Sequence, residues 1–447
     1  MGRKMAVMAT AGAAAVLAGV VMPAVARAAT VTPVPCSTPA LVSAVSGAAS
    51  GATLSLAKGC TYVLTAALPT VAQDLTINGN EATLKRSTAT GTAAFTIMTV
   101  TAGAVALNQL SFTNGHRAIT VNNQAQLTVT GGVFSGNTAA NGAAIDNTAA
   151  TVVQVTGASF VDNAATLDGG AIYVYTALGD QISDCRFVGN TAASSGGAYW
   201  EWSNGTLIAG STFQGNTATT GGALYLDDQG SEITGTVVHG NSATGNGGGI
   251  ADAPGGAPVA ITDSEITGNH AGGAGGGLDE RSYGTFGSVT NTIIADNTAV
   301  EGGGIADDLV YIQYSGDTIS GNHASGGGGG INAFGSNVFL TGTTIFGNYA
   351  GGNGGGVINS LSSGQGYASF TDSTISGNHA GAFGGGLYNQ GTVIASGTQI
   401  ADNRAVNGGG GIYDDLTAAT VTLTDSSPTD NKPDNCEPLS SITGCTG

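Results

Sequence analysis

Two groups of chemistry-bearing residues recur at regular spacing in this sequence. Tyr173, Trp200 and Tyr225 stand at equivalent places in three successive repeats, and Tyr175 and Trp202 lie two residues further on. Both tryptophans of the chain belong to this group. Outward-facing aromatics at such spacing can offer a platform to sugar rings. The competing reading is that the rings stack on one another, which stabilises a sheet by about 0.2–1 kcal/mol per pair. Beside them runs an acidic stripe. Glu201, Asp252, Glu280, Asp307 and Asp414 share one position, Asp227 is slipped by one, and Asn147, Asn359 and Asn389 fill the position elsewhere. Carboxylates one repeat apart repel by about 1 kcal/mol in water. The stripe must therefore be solvated, partly protonated or bridged by cations. Ca²⁺ prefers oxygen ligands, and Asp252, Asp279, Glu280, Asp307 and Asp308 are its candidate ligands. The alternative is that Asp and Asn sit there because the position is a corner. Tyr173, Tyr175, Trp200, Glu201, Trp202, Tyr225, Asp227 and Asp228 form the candidate ligand-binding face, and a polysaccharide is the fitting ligand.

Other reactive residues point less clearly to chemistry. Asp227-Asp228, Asp307-Asp308 and Asp414-Asp415 are adjacent acidic pairs, and Arg281 is the basic residue near the stripe. No catalytic residue is assigned. His270, His323 and His379 fall in alternate repeats, which puts them roughly 9–10 Å apart at strand spacing, too far to share one zinc ion. Cys185 occupies a place where sibling repeats carry Ala158, Ser264 and Ser373, so it reads as a small core residue.

The spacing comes from a repeat. An aromatic or aliphatic residue, two spacers and Asn recur from Phe134…Asn137 through Phe160…Asn163, Phe187…Asn190 and Phe213…Asn216 to Ile400…Asn403. The Asn residues are 25 to 30 apart. A Gly-Gly-[Ala/Gly]-apolar signal alternates with them, as in Gly169-Gly170-Ala171-Ile172 and Gly247-Gly248-Gly249-Ile250. Thr, Val and Ile alternate in the intervals, the pattern of strands. Short strands repeating at this period imply a coil of about three strands, stacked on the next at roughly 4.8 Å. The expected fold is all-β: a single right-handed parallel β-helix of about 12 coils. The Phe/Ile and Ile/Leu/Val columns should fill the cylinder. The Asn column should form an amide ladder at a corner that uses the left-handed conformation Asn tolerates. The glycine pairs should supply positive φ or close backbone packing.

The tandem of Gly-Gly-Ala-[Ile/Leu/Tyr] and Phe-x-x-Asn over about residues 130–415 resembles the repeat of the chlamydial polymorphic outer-membrane proteins. That resemblance implies a pectin-lyase-like β-helix, surface display and adhesion. The chain departs from the family in lacking a C-terminal autotransporter barrel, in replacing Phe by Ile in later repeats, and in replacing Gly-Gly-Ala by Gly-Gly-Gly. Its Asn-Lys-Pro-Asp-Asn-Cys end looks like that of secreted actinobacterial proteins. The fold is also similar to that of pectate lyases and polygalacturonases. The Gly-His-Gly and Arg-x-Lys motifs of the latter are absent from this sequence, and fold alone does not transfer activity.

The bulk composition narrows the partners. Lys and Arg number 11 against 29 Asp and Glu, and the net charge is −18. Such a chain repels phosphate backbones, so nucleic acid is excluded. Arg3 and Lys4, the apolar run Met5–Val21 and Ala26-Arg27-Ala28 read as a secretory signal, expected over residues 1–28. Its removal takes three positive charges and leaves −21. No other stretch approaches membrane length. Export suits the cysteines, with Cys36 pairing with Cys60 and Cys436 with Cys445. Residues 29–110 are read as an N-terminal cap and first coils, with a short capping helix over Leu41–Ala49. Residues 111–430 are the repeats, and 431–447 a disulfide-closed cap broken at Pro433. The resulting expectation is a secreted or cell-surface monomer with a structural, adhesin-like interaction role, its partner a polysaccharide or a cell-surface glycan or protein. The alternatives are a polysaccharide lyase or glycoside hydrolase on the Tyr173–Asp308 face, and a non-catalytic glycan- or Ca²⁺-binding module.

Overall fold

The computed structural model describes residues 31–148, 151–175, 179–202, 204–227, 230–281, 286–362, 366–415 and 419–445. The segment read as a secretory signal, and Asp228, lie outside the described residues. A representative coil runs Leu207–Ala209, Thr212–Gln214, Thr217–Ala218 and Leu224–Leu226, each segment paired in parallel with its counterparts one coil away. The first two positions merge along the axis into one bent sheet of 30 strands, the third forms a narrow sheet of 11, and the fourth a sheet of 14. This is the right-handed parallel β-helix, the hand that parallel crossovers take almost without exception. The fourteen strands of the last sheet exceed the coils expected from the repeat count. The difference lies at the N-terminal end, where the Asn and Gly-Gly signals are missing. There the long strands Leu75–Arg86 and Ala104–Thr113 bend through both positions of the first sheet.

Identical positions do lie over one another. Phe112, Phe134, Phe160, Phe187 and Phe213 stack in the core with centroids 5.2, 4.9, 4.6 and 4.5 Å apart. Val238 and Ile266 continue the file in register. The asparagines form an unbroken ladder from Asn137 to Asn431, each Nδ2 donating to the next Oδ1 at 2.9–3.0 Å. Each amide also serves the backbone: Asn190 Nδ2 donates to Phe160 O at 3.0 Å, and Asn190 N to Asn216 Oδ1 at 2.9 Å. The ladder satisfies corner groups that no strand reaches. The left-handed residue is not the Asn, as the sequence suggested, but the residue before it. Gly189, Gly215, Asp162 and Asp296 have φ of 63°, 63°, 52° and 56°. At the opposite corner both glycine roles occur together. Gly169 has φ +60°, and a Cβ on Gly170 would run into the carbonyl oxygen of Gly197 one coil on.

Both ends are covered. The N-terminal helix spans Thr38–Ser46 and buries Leu41 and Val45 over the cylinder. It begins and ends three residues earlier than expected, because Pro39 suits a first turn and Gly47 closes the last. Disulfides join Cys36 to Cys60 and Cys436 to Cys445. The last ladder amide, Asn431 Nδ2, finds Asn435 Oδ1 at 3.1 Å instead of a further coil.

Candidate functional site

The fourteen-strand sheet positions the candidate residues. Its register runs Val174–Glu201–Leu226–Asp252–Glu280–Asp307–Ala333–Asn359–Asn389–Asp414 in one file. The neighbouring file runs Tyr173–Trp200–Tyr225–Ala251–Asp279–Ala306. Alternation sends these files to opposite sides. Leu224, Ile250 and Ile305 point into the core, the next residue out, and the residue after that in again.

The acidic stripe is therefore not solvated, which corrects one of the three readings offered by the sequence. Glu201 and Glu280 are 0 % exposed and Asp307 1 %. Polar groups from the far side of the corner meet them. Glu201 accepts from Tyr199 Oη at 2.9 Å and from the hydroxyls of Thr206 and Ser231. Tyr314 Oη lies 2.9 and 3.1 Å from the two oxygens of Asp307. Val259 N donates to Asp252 Oδ2 at 3.2 Å. Burial pushes the Asp307 carboxyl up to about 7, against the opposing hydrogen bond from Tyr314. Two further buried carboxylates, Asp180 and Asp317, are likewise pushed up to about 7 by burial. Sequence reasoning missed both. Asp180 accepts from Val153 N at 2.7 Å, Asp317 from Thr292 N at 2.8 Å. The available signal was an Asp in columns that other coils fill with Ser or Thr, as at Thr206 and Ser231 for Asp180 and at Thr292 and Thr343 for Asp317.

The five candidate Ca²⁺ ligands divide between two sides of the sheet. Asp252, Glu280 and Asp307 face in; Asp279 and Asp308 are on the outer side. Asp279 is buried there, and Arg281 Nε lies 2.9 Å from its Oδ2. Burial raises Asp279 to about 7, and Arg281 opposes the rise. The adjacent acidic pairs are split in the same way: Asp307 points in and Asp308 out, Asp414 in and Asp415 out. Among the described residues, no three of His, Cys, Asp and Glu come together as a metal cluster.

The aromatics are outward, as alternation requires. Tyr173 and Trp200 stack at 4.4 Å with planes 7° apart, and Trp200 and Tyr225 at 6.2 Å and 2°. Rings stacked so along the axis cover one another's faces and leave mainly edges to solvent. Trp202 differs. It stands edge-on to Tyr175 at 60° and is 47 % exposed. Two residues on, Asn204 helps line a depression of about 230 Å³ together with Gln181, Thr206, Leu207 and Glu232. Asp227 is half-buried and its N–H donates to Glu201 O at 3.0 Å. A second aromatic group, not singled out in the sequence, lies on the bent sheet. Phe286, 70 % exposed, is 5.7 Å from Tyr311 and 6.0 Å from Phe339, and Phe339 is 5.6 Å from Tyr367.

The histidines form the expected alternating file on the narrow sheet: His270–Thr298–His323–Tyr349–His379–Arg404. Tyr349 stacks between His323 and His379 at 4.8 and 5.2 Å. Cys185 is buried, and burial raises its thiol to about 11.

The fold and its columns define a right-handed parallel β-helix. Residues 210–227 match the Chlamydia polymorphic membrane protein repeat. No curated protein sequence matches the chain. Among solved structures it is similar to tailspike protein 3 of bacteriophage CBA120, at 13 % identity and a TM-score of 0.37. That match covers 92 % of this chain and 59 % of the tailspike chain, so the chain spans about three-fifths of that protein's length.

Proposed function

We propose that this protein is an extracellular or cell-surface interaction protein that binds polysaccharide on the outer side of its fourteen-strand sheet, around Trp202. The observation that carries this reading is the half-exposed indole of Trp202 at the end of its strand, two residues in sequence before Asn204, which lines a depression with Gln181 and Glu232. An aromatic face takes the C–H face of a sugar, and amide and carboxylate groups alongside take its hydroxyls. The stacked Tyr173, Trp200 and Tyr225 stiffen the strand ends that hold Trp202 in place. The rigid coils pre-organise the surface, which lowers the ordering cost of binding.

Intrinsic fluorescence tests the reading directly, because Trp200 and Trp202 are the only tryptophans. Plant and microbial polysaccharides are titrated in while emission is followed. A ligand should shift the emission, and Trp202→Ala should weaken binding roughly 5- to 30-fold, about 1–2 kcal/mol. Undiminished affinity in that variant would remove the site.

Cleavage of the bound polymer is the second reading, and Asp279 is what favours it. Its carboxyl is raised to about 7 by burial on the outer side of the sheet, with Arg281 at 2.9 Å. At 2 % exposure and three coils from Trp202, it would reach a polymer only if the one bound at Trp202 extended along the sheet and the cover over Asp279 opened. A carboxyl that holds its proton near neutrality can serve as a general acid. Released reducing or unsaturated ends, lost in Asp279→Asn, would establish cleavage over binding alone.

A further inference from the structure

The bent sheet carries an uncharged aromatic face on a chain that is otherwise acidic. Its first position runs through five consecutive coils as Phe286–Thr290, Tyr311–Ser315, Asn337–Thr341, Tyr367–Thr371 and Thr392–Ser396, and none of these strands holds a charged residue. The whole chain has 29 acidic residues and a net charge of −18. Alternation buries Ile312, Tyr314, Val338 and Leu340 and turns their neighbours outward. Two outward files result, Phe286–Tyr311–Asn337–Tyr367–Thr392 and Ser288–Gln313–Phe339–Ser369–Ile394. The ring planes of Phe286 are tilted by 57° from Tyr311 and 36° from Phe339, and those of Phe339 and Tyr367 by 46°. The core phenylalanines, by contrast, lie within 14° of parallel. Tilted rings do not cover one another's faces as those stacks do. Among the described residues, the amides of Gln313 and Asn337 and the hydroxyls of Tyr311 and Tyr367 have no hydrogen-bond partner within the chain. The ladder amides, such as Asn322, are all engaged.

We infer that this face is a second binding surface and that its ligand is an uncharged polysaccharide lying along the helix axis. The inference goes beyond the Trp202 reading and does not rest on it, because the two surfaces belong to different sheets. Size decides between a glycan and a protein. Four coils at about 4.8 Å give roughly 14 Å along the axis, and two outward positions of one strand lie about 7 Å apart, so the aromatic cluster offers on the order of 100 Å². A stable protein interface buries about 800 Å² on each partner. A second copy of this chain would also bring its own negative charge, which opposes association. Charge decides among glycans. An acidic polymer would find no cation in the five strands and a net charge of its own sign. An uncharged one would find ring faces for its C–H faces, and free amides and hydroxyls for its hydroxyls.

Affinity electrophoresis of the full chain tests the inference. Native gels are cast with dextran, xyloglucan, galactomannan or a β-1,3-glucan, and with polygalacturonate as the acidic control. At least one uncharged polymer should retard the wild type, and polygalacturonate should not. Phe286→Ala combined with Phe339→Ala should raise the dissociation constant roughly tenfold, the loss that truncated aromatic anchors give. Both rings point outward, so the double variant keeps the fold, which its far-ultraviolet dichroism would verify. Trp202→Ala should leave the share of retardation that depends on Phe286 and Phe339 in place, so the two surfaces fail separately. The inference is overturned if none of the four uncharged polymers retards the wild type, or if the double variant is retarded as strongly. A wild-type dimer in light scattering that the double variant turns into a monomer would overturn it too, and would assign the face to a second copy of the chain.

Discussion

Replacing Asp307 by Asn should flatten part of the pH dependence of stability. Burial raises this carboxyl from 3.8 to about 7 in the folded chain, and unfolding returns it to its ordinary value. Between those values the native chain holds a proton that the unfolded chain has lost. The contribution of Asp307 is therefore fully present below about pH 4, declines as pH rises, and is gone above about 7. Between pH 5 and pH 8 the loss spans about two units at 1.36 kcal/mol each, or on the order of 3 kcal/mol. Asp180, Asp279 and Asp317, also raised to about 7, act in the same direction. Together the four approach 11 kcal/mol, on the order of 3 for each. An unfolding entropy of about 2 cal/mol/K per residue gives roughly 0.9 kcal/mol/K for a chain of 447 residues. The wild type should then melt about 12 °C lower at pH 8 than at pH 5, and Asp307→Asn about 9 °C lower. The Asn is neutral throughout, and Tyr314 Oη can donate to its carbonyl as it now does to Asp307. Scanning calorimetry of both proteins across pH 4–9 measures the two slopes. Parallel slopes, or a wild type that melts higher at pH 8 than at pH 5, would refute the reasoning.

Asn216→Ala should cost about 3–5 kcal/mol in urea denaturation. It strips the acceptor from Asn190 N and Nδ2 and the donor from Phe187 O and Asn241 Oδ1, all of them buried. A loss under about 1 kcal/mol would mean the ladder contributes little. Cys185 should resist iodoacetamide at pH 8 in the native protein and take up one label in guanidinium, because burial keeps its thiol protonated near 11. Mass spectrometry reads the count, and native labelling at the denatured rate would contradict the placement.

The cylinder was legible because a solenoid repeats its solution. Once Phe160, Phe187 and Phe213 recur with an Asn three residues later, stacking at sheet pitch leaves one arrangement that buries all the aromatics and pairs all the amides. The buried Cys185 was readable for the same reason, because it substitutes within a known column, whereas Cys36–Cys60 and Cys436–Cys445 were read from export and from their places beside the two caps. The left-handed corner was misplaced by one residue. Gly and Asp alternate before the ladder Asn, at Gly189, Gly215 and Asp296, and their shared property is backbone freedom, not chemistry. The first coils were placed within residues 29–110 but not counted one by one, because Leu75–Arg86 runs straight through a bend with Asn80 and Glu81 at positive φ, without the usual glycine.

The acidic stripe shows where periodicity stops informing. Alternation alone places Glu201 on the same side as Tyr199, inside, yet a file of carboxylates reads as surface because isolated buried charge is so unfavourable. What makes the inside tolerable is supplied from beyond the corner: Thr206 and Ser231 for Glu201, Tyr314 for Asp307, Val259 N for Asp252. Thr206, Ser231 and Val259 stand just before the strands beyond the corner, Ser231 one coil on, and Tyr314 within one, so their reach depends on how the corner between is built, which varies from coil to coil. Where the partner is another amide, the file holds Asn, as at Asn359 and Asn389. Where hydroxyl donors arrive, it holds a carboxylate, as at Glu201 and Asp307, and burial raises that of Asp307 to about 7. Asp414 stands between the two cases: it is a carboxylate, yet the partner that reaches it is an amide, Asn389 Nδ2 at 2.8 Å, so the identity of the donor one coil away does not by itself dictate which acid or amide the file holds.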